Sequence, residues 1–111
     1  MSENHLEILC GIVTESHARI QHDFEDINPI VGVIQQMRDS GVPADAMTID
    51  CSKSDKRIIL VLHDHQPDIV SYQFSFKDRD PDDKFEQISF NDLTADRLYE
   101  WIKGYFSETL N

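Results

Sequence analysis

The sequence predicts a two-layer α+β sandwich, with two N-terminal helices and one C-terminal helix on one face of a four-stranded antiparallel sheet. Its 111 residues suit one domain, taken as residues 1–111. Apolar residues follow helical spacing near both chain ends and alternate with polar residues in between. Short polar turns separate the alternating segments, and no helical pattern lies between them. The strands therefore form a meander, because parallel strands need long crossovers.

The first segment, residues 5–22, predicts a helix. Its apolar residues recur at intervals near three and four, as in a helix that buries one face. They are Leu6, Leu9, Val13, Ala18, Ile20 and Phe24. Gly11 and the β-branched pair Ile12 and Val13 weaken this pattern. A strand over Leu6–Val13 is the alternative that the sequence leaves open.

A second helix is predicted over residues 29–40. Asn28 suits an N-cap, and Pro29 suits the first helical position. Gly41 and Pro43 then supply stop signals. The apolar face of this helix would consist of Ile30, Val33, Ile34 and Met37.

Four strands are predicted next. Met47–Cys51 alternates as a half-buried strand does, whereas Arg57–His63 contains the unbroken apolar run IILVL and should be central. Ile69–Lys77 places its aromatic residues on one face, and Phe85–Phe90 forms a short last strand. The expected core residues of these last two strands are Val70, Tyr72, Phe74, Phe76, Ile88 and Phe90, with Phe85 on the opposite face.

The final helix is predicted over residues 95–108. Thr94 is its expected N-cap, while Leu93 and Leu98 occupy the two positions of a hydrophobic staple. Its broad apolar face consists of Leu98, Trp101, Ile102, Tyr105 and Phe106.

Charge narrows the classes of function. The chain has 21 Asp and Glu against 10 Lys and Arg, a net charge of −11. Such a balance argues against nucleic-acid binding, which needs clustered cations. No apolar run reaches the ~18–20 residues of a membrane span, and the N-terminus lacks the basic region of a secretory signal. Cys10 and Cys51 are too few for a disulfide framework, so we expect a cytoplasmic protein with reduced thiols. A single Cys10–Cys51 disulfide is the alternative that the sequence leaves open.

The acidic residues cluster towards the two ends of the chain. Residues 1–41 carry seven acids and two bases, a net −5, and residues 78–111 carry nine and four, also −5. Acidic surfaces attract basic partners over long distances. The residues expected to contact a basic protein partner are Asp80, Asp82 and Asp83 in one predicted loop, and Asp23, Glu25 and Asp26 near the first helix.

Ile59 and Val61 predict a further contact surface. They lie on the face of the central strand that three helices on the other side would leave uncovered. Exposed apolar patches often mark partner surfaces, so this face or edge is expected to form a homodimer.

His63 and His65 form the best metal-ligand pair in the sequence, because residues two apart on an extended chain share a side. His17 or His22 would have to supply a further ligand. The acidic run at 78–83 does not fit a calcium loop, because Asp83 stands where an EF-hand has Gly and Ser89 where it has Glu.

No catalytic constellation stands out, and none of the four glycines belongs to a phosphate-binding motif. The sequence therefore favours a non-enzymatic interaction module without a cofactor, in the style of inhibitors, immunity proteins or secretion chaperones. A metal-binding domain or metal-dependent enzyme built on His63 and His65 is one alternative. A regulatory domain that binds a small ligand between helix and sheet is another.

Overall fold

A computed structural model of the chain describes residues 5–24, 29–34, 39–41, 43–51, 55–77 and 84–107. Within these ranges the chain runs through one helix, five strands, a single 3₁₀ turn at Phe90–Asp92 and a second helix. The helices are α1, His5–Asp23, and α2, Ala95–Ser107. The strands are β1, Ile30–Ile34, β2, Ala44–Asp50, β3, Lys56–His63, β4, Gln66–Phe76, and β5, Glu86–Ser89.

All five strands form one antiparallel sheet in the order β1-β2-β3-β4-β5. The α+β class and the antiparallel meander are therefore confirmed. The details differ from expectation, because the sheet has five strands rather than four, and the described residues contain two helices rather than three. The run IILVL lies in β3, which occupies the centre of the sheet as predicted.

The helix predicted over residues 29–40 is wrong for its first part, because Ile30–Ile34 is strand β1. Four of its five residues are β-branched, and such side chains prefer the extended backbone. Pairing with β2, from Ile30 opposite Asp50 to Ile34 opposite Ala46, outweighs the local helix-start signals. Residues 35–38 lie outside the described part of the chain. Gly41 lies in a turn and has a φ of 95°, a conformation that glycine adopts without strain.

Residues 5–23 form one continuous helix, so the alternative of a strand over Leu6–Val13 does not hold. Its buried stripe consists of Leu9, Val13, Ser16 and Ile20. Ala18, which the sequence placed on this stripe, is not among the buried residues, and Ser16 takes the buried position instead. The Ser16 hydroxyl donates a hydrogen bond to the Val13 carbonyl oxygen (3.0 Å), which allows its burial.

Helices α1 and α2 cover the same face of the sheet and enclose the main core. From α2, Leu98, Ile102 and Phe106 are almost fully buried. The sheet contributes alternate residues of its three central strands to this core: Met47, Ile49, Ile58, Leu60, Leu62 and Val70. The alternation predicted from the sequence thus selects the residues of the core-facing side.

Phe74 shows where this core ends. The alternation of β4 predicts that Phe74 is a core residue. Phe74 does face the helices, but it lies at the margin of the helical layer and is 42% exposed. Its ring still stacks on that of Tyr105, with 4.9 Å between the centroids. The expected burial of Phe74 is therefore wrong, although its expected contact with α2 is present.

The opposite face of the sheet holds a second, smaller core. Ile59 and Val61 are only 7% and 8% exposed and pack with Ala44 and Ala46. Ile34 and Phe85 cover their rim. The expectation that Ile59 and Val61 form an exposed patch is therefore wrong, because neighbouring parts of the same chain bury them.

Candidate functional site

The surface beside the start of α2 forms a groove, which we call the acidic groove. It encloses about 550 Å³ and opens to solvent. It is lined by Asn91, Asp92, Thr94, Asp96, Arg97, Glu100 and Trp101. The first four lining residues belong to the 3₁₀ turn and the helix start, and the last three lie along the first turns of α2.

Local capping gives this groove its shape. The Thr94 hydroxyl accepts a hydrogen bond from the Arg97 amide (3.2 Å), which confirms Thr94 as the N-cap of α2. The Arg97 side chain turns back, and its Nε donates to the carbonyl oxygen of Asp92 (3.0 Å). Leu93 and Leu98 are both buried, as the predicted hydrophobic staple requires. The 3₁₀ turn and the helix start are therefore held in one defined arrangement.

Trp101 forms the aromatic end of the acidic groove. Its ring lies 4.4 Å from that of Tyr72 and 5.6 Å from that of Phe74, measured between centroids. These contacts bury part of the indole, and the residue also lines the groove. Trp101 is the only tryptophan in the chain.

A second groove, which we call the apolar groove, adjoins the first. It encloses about 490 Å³ between α1 and the segment leading into α2. Asn91 and Thr94 line both grooves. The remaining lining of the apolar groove is Ile8, Gly11, Ile12, Glu15, Phe90, Leu93 and Ala95. The two grooves together form one surface depression, which we call the channel. One section of the channel is apolar, and the other contains carboxylates and an indole.

Most cations of the described residues are engaged within the chain. Arg19 pairs with Asp96, Arg57 forms two hydrogen bonds to the Asp50 carboxylate, and Lys103 lies 3.8 Å from Glu100. The ammonium groups of Lys56 and Lys77 donate to the carbonyl oxygens of Tyr105 and Cys51. Together the linings of both grooves carry four carboxylates and one guanidinium. The lining residues themselves therefore carry a net charge of −3, and Arg19 and Lys103 offset part of it through their pairs with Asp96 and Glu100.

Asp23, at the end of α1, contacts a residue of α2. Its carboxylate accepts a hydrogen bond from the Tyr99 hydroxyl (2.7 Å) and lies 3.0 Å from Nδ1 of His22. The hydrogen bond from Tyr99, followed by that from His22, holds the pKa of Asp23 below its ordinary value. The same contact raises the pKa of Tyr99. Arg19 stacks over the Tyr99 ring at 4.4 Å, which adds a second link between α1 and α2.

His63 and His65 do not lie on one extended segment, as the sequence prediction assumed. His63 ends β3, and His65 is exposed in the turn that follows. The candidates for a third ligand are engaged elsewhere: Nε2 of His17 lies 2.6 Å from the Pro29 carbonyl oxygen, and His22 contacts Asp23. In the part of the chain that the structure describes, no three His, Cys, Asp or Glu side chains converge as a metal-ligand set.

The predicted partner contacts divide into two groups. Asp80, Asp82, Asp83, Glu25 and Asp26 lie outside the described residues. Asp23 lies at the junction of α1 and α2, and its carboxylate takes part in the contact with Tyr99. Cys10 and Cys51 are both free thiols, the second of them buried.

The acidic groove is not predicted by the sequence patterns described above. The sequence identifies Thr94 as an N-cap and Trp101 as one residue of an apolar stripe. The sequence signal that was available is the i, i+4 spacing of Asp96 and Glu100, which places both carboxylates on one side of α2.

Comparison of the chain with protein-family models, with curated proteins and with solved structures finds no match. Neither helix of the described residues has the length and apolar character that crossing a membrane requires.

Proposed function

We propose that this protein is an interaction module that binds a basic segment of a protein partner in the channel formed by the acidic and apolar grooves. The observation that carries the proposal is the half-buried indole of Trp101 beside the carboxylates of Asp92, Asp96 and Glu100. An aromatic face next to carboxylates suits a Lys or Arg side chain, because cation–π and ionic attraction act on the same group.

The two adjoining grooves define the chemistry of the ligand. Ile8, Ile12 and Phe90 line the apolar groove and suit an apolar side chain, whereas the acidic groove suits a cation. A fitting segment therefore carries an apolar residue and a Lys or Arg within a few positions of each other. The binding mode resembles the seating of an amphipathic segment in a surface groove, which uses apolar anchors and a charged rim.

The overall charge supports the same class of partner. The net charge of −11 draws basic molecules towards the protein over distances comparable with the Debye length. Asp80, Asp82 and Asp83, together with Asp23, Glu25 and Asp26, contribute to this field through their charge. In our proposal the field speeds the encounter, and the channel provides the contacts that hold the ligand.

Intrinsic fluorescence offers a direct test, because the single tryptophan lies in the proposed site. We expect a synthetic peptide that alternates Leu and Lys to shift the Trp101 emission in a saturable manner. A peptide with Glu in place of Lys should cause no shift at the same concentrations. Binding should weaken as salt rises, because the attraction is largely ionic.

Matched variants locate the binding site. The double variant Asp92→Asn and Glu100→Gln removes two charges from the acidic groove, and we expect at least ~tenfold weaker binding of the Leu–Lys peptide. The control, Glu7→Gln with Glu86→Gln, removes two exposed charges outside both grooves. Equal weakening by both pairs would show that net charge alone governs binding and would contradict a site in the channel.

A further inference from the structure

Strand β1 forms one edge of the sheet and exposes apolar side chains. In the described part of the chain it pairs only with β2. Ile30, Val33 and Val31 are 58%, 47% and 37% exposed, and the first two are the most exposed large apolar residues that the structure describes. An edge strand also carries backbone N–H and C=O groups that can pair with another strand. Among the described strands, this surface therefore combines the backbone of an edge strand with exposed apolar side chains.

Within its five residues, β1 lacks the usual protection against pairing. Natural edge strands carry a charge, a proline or a bulge, which hinders contact with another chain. Each of the strands β2, β3, β4 and β5 contains at least one charged residue, whereas β1 contains none. The opposite edge, β5, is four residues long and contains Glu86. Only the β1 edge is thus left open among the described strands.

The sequence of β1 indicates which molecule pairs with it. Ile30-Val31-Gly32-Val33-Ile34 reads the same in both directions, with Gly32 at its centre. Two copies related by a two-fold axis at Gly32 would pair antiparallel, with Ile30 opposite Ile34 and Val31 opposite Val33 of the second copy. A two-fold interface requires such self-complementarity. We propose that a second copy of this chain pairs with the β1 edge and joins the two sheets into one.

Side-chain placement agrees with this pairing. Val31 and Val33 stand opposite Ile49 and Met47 on the helix-covered side, whereas Ile30 and Ile34 lie on the other side. In the two-fold pair, valine meets valine on one side and isoleucine meets isoleucine on the other. Such cross-strand β-branched pairs stabilise an antiparallel sheet. Gly32 has no side chain, so no side-chain pair meets at the axis.

Charge and size set the strength of the pairing. Each copy carries a net charge of −11, so the copies repel each other outside the uncharged strand. Added salt screens this repulsion and strengthens the dimer, the opposite of its effect on a basic ligand. A five-residue strand pair is smaller than a standard interface, so the dimer should be weak and depend on concentration.

Sedimentation equilibrium tests the proposal. From about 10 µM to about 1 mM in high salt, the mass should rise from 12.9 kDa towards twice that value. Val33→Lys places a cation on the edge and should raise the dimer dissociation constant at least ~tenfold. Gln87→Lys adds the same charge to an exposed residue at the opposite edge and should leave the constant within ~twofold of the unmodified chain.

Ile30→Lys serves as a second edge variant, and circular dichroism checks that each variant folds. Hydrogen exchange of residues 30–34 should slow as the protein concentration rises. A persistent mass of 12.9 kDa at ~1 mM in high salt overturns the proposal. A dimer that both Val33→Lys and Ile30→Lys leave intact also overturns it. The Leu–Lys peptide test above is independent, because its residues lie in the channel and not in β1.

Discussion

Individual residues show how a local pattern and its three-dimensional setting differ. Trp101 belongs to the densest apolar stripe of the sequence, and that position predicts a fully buried core residue. The structure shows its contacts with the sheet but leaves it only partly buried, in the lining of the acidic groove. Phe106, from the same stripe, is almost completely buried. Helical spacing identifies the packing face but not its margin, where a large ring reaches both protein and solvent.

The difference in burial between Trp101 and Phe106 predicts that their truncation destabilises the protein to different extents. Truncation of a buried aromatic side chain usually costs ~3–5 kcal/mol, so Phe106→Ala should fall in that range. Trp101→Ala should cost less, ~1–3 kcal/mol, because less area leaves the core. Urea denaturation followed by circular dichroism measures both free energies of unfolding. A larger loss for Trp101→Ala than for Phe106→Ala would show that Trp101 is the more deeply packed residue.

A second prediction concerns the hydrogen bond between Tyr99 and Asp23. The pKa of Asp23 is lower in the folded protein, chiefly because Tyr99 donates to the carboxylate. The stabilisation is therefore present above the ordinary value of about 3.9 and is lost as the pH falls through the folded-state value. Tyr99→Phe should raise the pKa of Asp23, as measured by NMR titration of its carboxyl group.

The control is Tyr105→Phe, whose hydroxyl donates to the Ser75 carbonyl oxygen (2.8 Å), a group that does not titrate. The stability lost in Tyr99→Phe should shrink between pH ~5 and pH ~2, whereas the loss in Tyr105→Phe should stay constant. A loss in Tyr99→Phe that is independent of pH would mean that Asp23 does not accept this hydrogen bond in solution.

At the scale of elements, the start of α2 and the alternation in β4 could be predicted, whereas the helix-start signals of Asn28 and Pro29 misled. Thr94, Leu93 and Leu98 start α2 as their spacing predicts, and the alternation over Ile69–Lys77 correctly directs Val70 and Tyr72 of β4 towards the main core. These features are local, because a cap or an alternating strand is defined within a few residues. The sequence alone was sufficient for them.

The failures at this scale have non-local causes. Residues 30–34 have apolar positions that suit a helix face as well as a strand, and only pairing with β2 decides between them. The burial of Ile59 and Val61 likewise depends on Ile34 and Phe85, which are distant along the chain. The channel has a non-local origin for the same reason, since Ile8 and Ile12 of α1 come to line one groove with Phe90 and Leu93 only after folding.

Two glycines provide a stability test at the scale of the element. Gly104 lies inside α2, and no neighbouring atom lies within 4 Å of the place where an alanine methyl group would stand. Gly104→Ala should therefore stabilise the protein by up to ~1 kcal/mol. Gly41 has φ of 95°, a conformation that side chains disfavour, so Gly41→Ala should destabilise it by ~1–2 kcal/mol. Thermal midpoints should shift in opposite directions. A stabilising Gly41→Ala would indicate that this turn is not left-handed in solution.

At the scale of the whole molecule, charge connects solubility, self-association and partner binding. The net charge of −11 works against both compactness and dimerisation, and it favours encounters with basic molecules. Salt should therefore weaken peptide binding in the channel while strengthening the β1 dimer. Because the two responses have opposite signs, a single salt series separates the two surfaces.

The acids of residues 78–83 allow attraction at a distance to be separated from contact in the channel. Replacing Asp80, Asp82 and Asp83 with Asn removes three negative charges, and individual surface charges contribute little to stability. We expect an intact fold and an equal or higher thermal midpoint, because less like charge remains.

In stopped-flow fluorescence at low salt, the Leu–Lys peptide should associate more slowly with this variant and dissociate at an unchanged rate. The Asp92→Asn and Glu100→Gln variant should mainly dissociate faster, because its lost charges line the bound ligand. Faster dissociation from the triple variant would instead place residues 78–83 in direct contact with the peptide.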